Sequence, residues 1–454
     1  MSRDRANPYE LPPEAIEEPP HGWAAMLRRI GPGLILAATV VGSGELVATT
    51  VLGAESGYTL LWLILLSCAV KVVVQHEIGR YAIGAGETTL EAFDKVPGPR
   101  AKVSWLIWLW LIMVGSLFFS IGGMLGALGE IFSMALPGVS AHLWPPVISA
   151  ATLALLYFGR YNLIEKASFV LVGLLTAMTV AGAVLLLRRP DLFSWGEVAQ
   201  GLRFRFPAGG LSTALTVFGA TGVGAAELAS YPYWCIEKGY ARFVGPREQT
   251  PAWKARAEGW LRVLSLDVVA SFVVYTFATV AFFLLGAGVL HAMGQTPSGP
   301  ETIRALAHMY TDVLGAWSRP LFLAGAIAVL YSTVFALTAA YSRLAADFVG
   351  MLGLYDRHDY AKRLACTRAM TALFLIAPCF TFYFVREPVV MVKVSGIVQA
   401  ILLPAMGFGT LYLVAKRLPA AIRPPGWLRA ALWATSAVML AVVVVSLTLQ
   451  ALRS

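Results

Sequence analysis

Apolar stretches of membrane-spanning length recur along the chain at about 30–55, 58–84, 103–134, 143–158, 163–187, 209–236, 260–289, 319–349, 366–385, 388–415 and 427–451, separated by short polar connectors. About 20 predominantly apolar residues suffice for a helix to cross the hydrocarbon core, so the pattern predicts an all-α polytopic membrane protein of about eleven spans. An amphipathic segment at 300–314 is expected to lie along the interface before the eighth span. Two of the spans are interrupted. The first carries Val41-Gly42-Ser43-Gly44-Glu45-Leu46 at its middle, and the sixth carries Val223-Gly224-Ala225-Ala226-Glu227-Leu228, a repeat of the Val-Gly-x-x-Glu-Leu spacing with Gly219 and Gly222 close by.

Glycines loosen a helix, and backbone groups freed in hydrocarbon must be satisfied by protein or by a water-filled cavity. Matched Gly-interrupted spans in the two halves of a chain point to the midplane site of an inverted-repeat transporter. The breaks open spans one and six, so the units are spans one to five (about 30–187) and six to ten (about 209–415). An odd number of spans per unit forces the second unit upside down. The eleventh span, at about 427–451, is additional and is expected to face lipid or another copy.

Composition supports this class: of 454 residues 58% are hydrophobic and 13% charged, and the mean hydropathy is +0.69, which excludes a soluble multidomain protein. The net charge of +9 does not imply a nucleic-acid partner, because the basic residues sort by side. With the N-terminus in the cytoplasm, 25 of the 35 Lys and Arg fall on cytoplasmic segments, 8 on outer segments and 2 within spans. The C-terminus is then expected outside. Residues 1–22, rich in Pro and acids with no apolar run, read as a disordered cytoplasmic tail, and 23–454 as one transmembrane domain. Cys68, Cys235, Cys366 and Cys379 have no metal-ligand spacing.

The candidate site residues are Glu45 and Glu227 with the backbone around them. Each carboxylate lies in the first turn after its glycine break, where it either caps an outgoing half-helix or converges with its counterpart on one cavity. In the second case they would be ligands of a metal substrate, since like charges repel unless a cation sits between them. Lys71 and Lys393 are the two cations at membrane depth, and each needs a carboxylate partner or a route to water. A pair with Glu45 or Glu227 would neutralise the cavity, whereas Lys393, close to Arg386 and Glu387, could instead snorkel. His76-Glu77 is followed by Arg80 where a zinc-protease helix needs its second His, so no enzyme is indicated. No cofactor is expected.

Several words of the sequence resemble the Nramp family of divalent-metal transporters. Gly31-Pro32-Gly33-Leu34 opens the first span, Gly53-Ala54-Glu55-Ser56-Gly57-Tyr58 closes it, and Gly219-Ala220-Thr221 opens the second break, as in family members. The resemblance covers nearly the whole chain and implies a LeuT-type five-plus-five inverted-repeat fold with helices 1 and 6 broken. The family's metal-binding words differ here: Asp-Pro-Gly-Asn is replaced by Gly42-Ser43-Gly44-Glu45, and Met-Pro-His by Val223-Gly224-Ala225. Of the usual ligands the resemblance carries over the Ala220 carbonyl, while Ser395 keeps its place in the tenth span and two amide positions become Gly396 and Leu402. The chain therefore resembles the divergent Nramp-related branches, which include magnesium transporters. Gly42-Ser43-Gly44 also resembles the turn of amino-acid and polyamine carriers of the same wider fold.

Together these features predict a secondary transporter of a hard divalent cation, Mg²⁺ or Mn²⁺, in the cytoplasmic membrane, with an organic cation, polyamine or amino acid as the alternative substrate. The substrate-binding set is Glu45, Glu227, Gly42, Ser43, Gly44, Ala220, Gly224 and Ser395. Proton-driven relatives are similar in having a His beside the sixth-span break and acidic residues in the third span. This chain has Ala225 and, from 103 to 132, only Glu130, so no proton coupling is expected.

Overall fold

The computed structural model describes residues 8–158, 162–205, 211–297, 302–356 and 359–452, and these are almost wholly helical. Positions 1–7 of the expected tail, the side chain of Ser43, the start of the sixth apolar stretch and the last two residues of the chain lie outside the description. The helices are α1 (Trp23–Leu27), α2 (Pro32–Val40), α3 (Thr50–Ser56), α4 (Leu61–Ala85), α5 (Thr89–Asp94), α6 (Trp105–Ala135), α7 (Trp144–Phe158), α8 (Asn162–Leu186) and α9 (Trp195–Gly201). They continue with α10 (Leu211–Ala220), α11 (Ala225–Lys238), α12 (Tyr240–Val244), α13 (Pro251–Leu285), α14 (Thr302–Leu314), α15 (Ser318–Met351), α16 (Tyr360–Val385), α17 (Pro388–Lys416) and α18 (Gly426–Ala451). A two-residue hairpin, β1 (Arg100–Ala101) with β2 (Val103–Ser104), precedes α6.

Local chemistry places the boundaries. Proline occupies the first turn of α2, α13 and α17, where its missing N–H costs nothing. Thr88 and Glu91 form a reciprocal capping box at α5, and Ser104, Thr250 and Asp359 cap α6, α13 and α16. Gly86 and Gly239 end α4 and α11 in the left-handed conformation. Among the described residues seven helical stretches are long and apolar enough to cross a membrane: Pro32–Ala85, Trp105–Ala135, Pro251–Leu290, Ser318–Met351, Tyr360–Val385, Pro388–Lys416 and Gly426–Ala451. Ala141–Tyr157 and Val172–Leu186 are shorter apolar helices. The central packing is of α17 against α6 and α10, with α4 and α13 paired beside them.

Three features differ in form from the sequence reading. First, the interruption in the first stretch is not an unwound turn: Val41–Thr49 continues the helix with a wider, π-helical winding before α resumes at Thr50. The Thr49 and Thr50 hydroxyls donate to the carbonyls of Gly44 and Glu45, five residues back, at 3.2 and 3.3 Å, which covers oxygens that the wider winding exposes. Second, α14 packs its apolar face on protein. It buries Ile303, Leu306, Met309 and Tyr310 against α8 and α15, and the Tyr310 hydroxyl bonds that of Thr179 at 2.6 Å.

Third, residues 8–22 are not a detached tail. Tyr9 donates to Glu237 at 2.8 Å, packs edge-on to Tyr233 and receives the Arg363 guanidinium 3.5 Å from its ring centroid. Leu11 covers Ala82, Ile236 and Ala241. Glu17 donates its N–H to the Phe243 carbonyl at 3.0 Å, and its own carbonyl accepts from the Trp260 indole at 3.0 Å. The prolines and acids suggest disorder by composition, but a few apolar side chains at irregular spacing suffice to dock the segment across the ends of α4, α11, α13 and α16.

Candidate functional site

The second break defines the centre. Helix α10 stops at Ala220, α11 starts at Ala225, and Gly222 takes φ of +60°, a conformation that favours glycine. Thr221 N–H still reaches the Val217 carbonyl at 2.8 Å, but the next rung of the ladder is missing. Gly222 N–H, which in a continuing helix would bond the Phe218 carbonyl, donates instead to Glu45 Oε1 at 2.9 Å. The orphaned Phe218 carbonyl accepts from Lys71 Nζ, and the Thr221 carbonyl accepts from the same ammonium at 2.7 Å. One peptide hydrogen bond has thus been pulled apart, its donor half held by a buried anion and its acceptor half by a buried cation.

Both side chains are fully buried. The second oxygen of Glu45 accepts from the Thr49 hydroxyl at 2.7 Å. Around Lys71, Ser67 donates to the Phe218 and Thr221 carbonyls at 3.2 and 3.3 Å and accepts from the Thr221 hydroxyl at 3.1 Å, while the Phe218 ring centroid lies 5.2 Å from Nζ. The carbonyls sit at the C-terminal, negative end of α10, the position at which a helix favours a cation. Ser67 and Lys71 reach it together because i and i+4 share a face of α4.

On the other side of the break, Gln399 of α17 uses Oε1 to accept the Ala226 N–H at 3.1 Å, at the start of α11, and its amide nitrogen donates to Ser395 at 3.3 Å. Glu227 Oε2 and Gln399 Oε1 both crowd over Gly224, where an added Cβ would come within 2.5 and 2.6 Å of them. These groups border a small enclosed cavity with room for about one water molecule, lined by Val40, Gly44, Ser120, Ala220, Glu227, Val392, Gly396 and Gln399. Backbones approach closely here. A side chain on Gly44 would strike the Ala220 carbonyl, and one on Gly219 the Gly396 carbonyl.

The expected residues therefore divide. Gly44, Ala220 and Glu227 line the cavity; Gly224 and Ser395 support it. Gly42 and Ser43 lie in the π-helical stretch. Glu45 is turned to Gly222 and is not among the lining groups, so the two carboxylates do not converge on one cavity in this conformation. Among the described residues no group of three or more His, Cys, Asp or Glu is placed to hold a metal ion. Lys71 is held by carbonyls rather than in contact with a carboxylate. Lys393 does not join the centre: it reaches Glu55, at the end of α3, and pairs with it at 2.5 Å. Ser120 and Gln399 were not anticipated. The available signal was a glutamine four residues after Ser395, on one helical face of an otherwise apolar span. Asp267 proves to be a cap for α2, accepting from Gly31 and Gly33 N–H at 2.8 and 2.6 Å and from the Tyr231 hydroxyl at 2.9 Å.

A broken helix facing a π-helical one, with charges and backbone groups meeting between them, is the build of a multi-pass membrane transporter of LeuT type. The structure of an Eremococcus coleocola manganese transporter, determined in complex with an aromatic bis-isothiourea substituted compound, is similar with a TM-score of 0.66 at 17% identity, covering 94% of this chain and 88% of that one. Mhp1, a nucleobase-cation-symport-1 family transporter with bromovinylhydantoin bound, gives 0.57 at 16% identity over 93% and 92%. Residues 33–449 match the family described as natural resistance-associated macrophage protein-like, and the chain belongs to this Nramp family. Among curated relatives, an uncharacterized protein of Pasteurella multocida (strain Pm70) is 24% identical over 405 residues, 87% of this chain and 86% of the relative. The divalent metal cation transporter MntH of Verminephrobacter eiseniae (strain EF01-2) is 25% identical over 313 residues, 68% of this chain and 65% of the relative.

Proposed function

We propose that this protein is a secondary transporter of a hard divalent metal cation, Mn²⁺ or Mg²⁺, across the cytoplasmic membrane, with its N-terminus in the cytoplasm and two inverted repeats at about 30–187 and 209–415. The observation that carries the reading is the donor set around the central cavity. A carboxylate (Glu227), a carboxamide (Gln399), a hydroxyl (Ser120) and a carbonyl (Ala220) face it, with no sulfur among the lining residues. Hard cations take oxygen ligands, and Mg²⁺ in particular is commonly held by one or two carboxylates with waters retained. The similar structure of a manganese transporter and the relative that is a divalent metal cation transporter support the same substrate class.

One observation favours a second reading. Glu227 is the single carboxylate among the residues lining the cavity, which suits a singly charged organic cation as well as a partly hydrated metal. Metal uptake into proteoliposomes decides between them. Saturable Mn²⁺ or Mg²⁺ uptake that is lost in Glu227→Gln supports the first reading; no metal uptake, with an amine raising the melting temperature, transfers the function to the second. Transport without obligatory proton flux is part of the proposal, since Ala225 offers no titratable group at the break. Substrate-dependent acidification of a pH-sensitive dye trapped inside the vesicles would contradict it.

A further inference from the structure

The two carbonyls at the end of α10 are arranged for a cation, and the cation they hold belongs to the chain. Phe218 O and Thr221 O point at one position, with the hydroxyls of Ser67 and Thr221 beside it and the Phe218 ring near it. A lysine ammonium brings three donors and no acceptor, so an all-oxygen setting completed by an aromatic face satisfies it. This position is distinct from the central cavity: none of Ser67, Lys71, Phe218 and Thr221 lines it, and the carbonyl that does, Ala220 O, points the other way towards Gly44.

We propose that the end of α10 is a monovalent-cation site filled permanently by Lys71, and that a small free ammonium ion will occupy it when the lysine side chain is shortened. The carbonyls are freed by the break itself, because Gly222 N–H is committed to Glu45. A buried carboxylate on the donor side needs a balancing positive charge on the acceptor side, or one charge is left uncompensated in the membrane. The lysine stem is fully buried on its way from α4, so shortening it to alanine removes four heavy atoms and leaves more than the room that a methylammonium ion, two heavy atoms long, requires. Lys71 is accordingly a positioning residue: it fixes the end of α10 and does not touch the substrate cavity.

The test is independent of what is transported. Lys71→Ala and Lys71→Met are purified in nanodiscs and melted in methylammonium chloride or choline chloride at matched ionic strength. Lys71→Ala should melt lower than the parent in choline and recover saturably in methylammonium by roughly a few degrees. Lys71→Met, whose side chain fills the stem path without a charge, and the parent should show no difference between the two salts. Equal melting of Lys71→Ala in both salts overturns the proposal, as does an equal methylammonium shift in the parent. Recovery of folded Lys71→Ala only in methylammonium supports the proposal. If it is recovered in neither salt, restoration of a monodisperse protein by adding Glu45→Gln supports the charge-balancing role, and failure to restore it overturns that role.

Discussion

The split peptide bond between Phe218 and Gly222 makes a quantitative prediction about Glu45 and Lys71. In Glu45→Gln the ammonium stays buried against its carbonyls, but the anion that drew Gly222 N–H away is gone. In Lys71→Met the anion stays and the two carbonyls lose their donor. Removing one partner of a buried charge pair costs about 3–5 kcal/mol, and much of that is the charge left behind. The double variant leaves neither charge, and the freed Gly222 N–H and Phe218 carbonyl can bond each other as in an ordinary helix, returning about 1 kcal/mol. The double variant should therefore be more stable than the sum of the single losses implies, with a coupling of about 1–3 kcal/mol although the two side chains do not touch. Thermal unfolding of the four proteins in nanodiscs measures it. Simple additivity, with the double variant losing the full sum, would refute the idea that the two charges hold the halves of one hydrogen bond.

Glu227→Gln should weaken metal binding by about tenfold or more with little change in melting temperature, because a charged hydrogen-bonding group is lost without opening a cavity; isothermal titration with Mn²⁺ reads it. Gly44→Ala should destabilise by roughly 1–3 kcal/mol and abolish transport, since the new methyl group meets the Ala220 carbonyl and the two central helices must separate; a normal uptake rate would show that they need not stay in contact. Asp267→Asn should cost about 1–2 kcal/mol of stability, through weaker acceptance from Gly31 and Gly33, and leave substrate affinity unchanged. Tyr9→Ala should release the N-terminal segment, which limited proteolysis between residues 8 and 22 detects as a faster first cleavage.

Apolar helical stretches were legible because lipid imposes one requirement on every spanning helix, and the two interruptions because the Val-Gly-x-x-Glu-Leu phrase recurs at both, whereas glycines alone do not break α6, which contains Gly122 and Gly123. The partnerships were not, for two reasons. Lys71 is satisfied by main-chain carbonyls, which every residue possesses and no side-chain pattern reveals. Lys393 and Glu55 pair across 338 positions, so that nothing local in the sequence connects them. Glu45 illustrates a third difficulty: its place in the sequence suits a cap or ligand at its own break, whereas it accepts the Gly222 N–H of the other one. The acidic, proline-rich composition of residues 8–22 concealed Tyr9 and Leu11, whose contacts depend on grooves assembled from helices far apart in the chain.

That docked segment has a mechanical consequence. Its contacts run from Glu237 and Arg363 at one end to Phe243 and Trp260 at the other, so it is stitched to four helical elements by a short stretch of main chain. Any movement that carries the end of α11 away from the start of α13 must first pull out a tyrosine or break the backbone bond at Glu17, and either event frees a peptide that is otherwise held against the helices. The chain thus carries its own reporter of rearrangement at that end of the molecule, readable by cleavage or by a label near Tyr9, and a bulky fusion placed directly before it would act on the same latch.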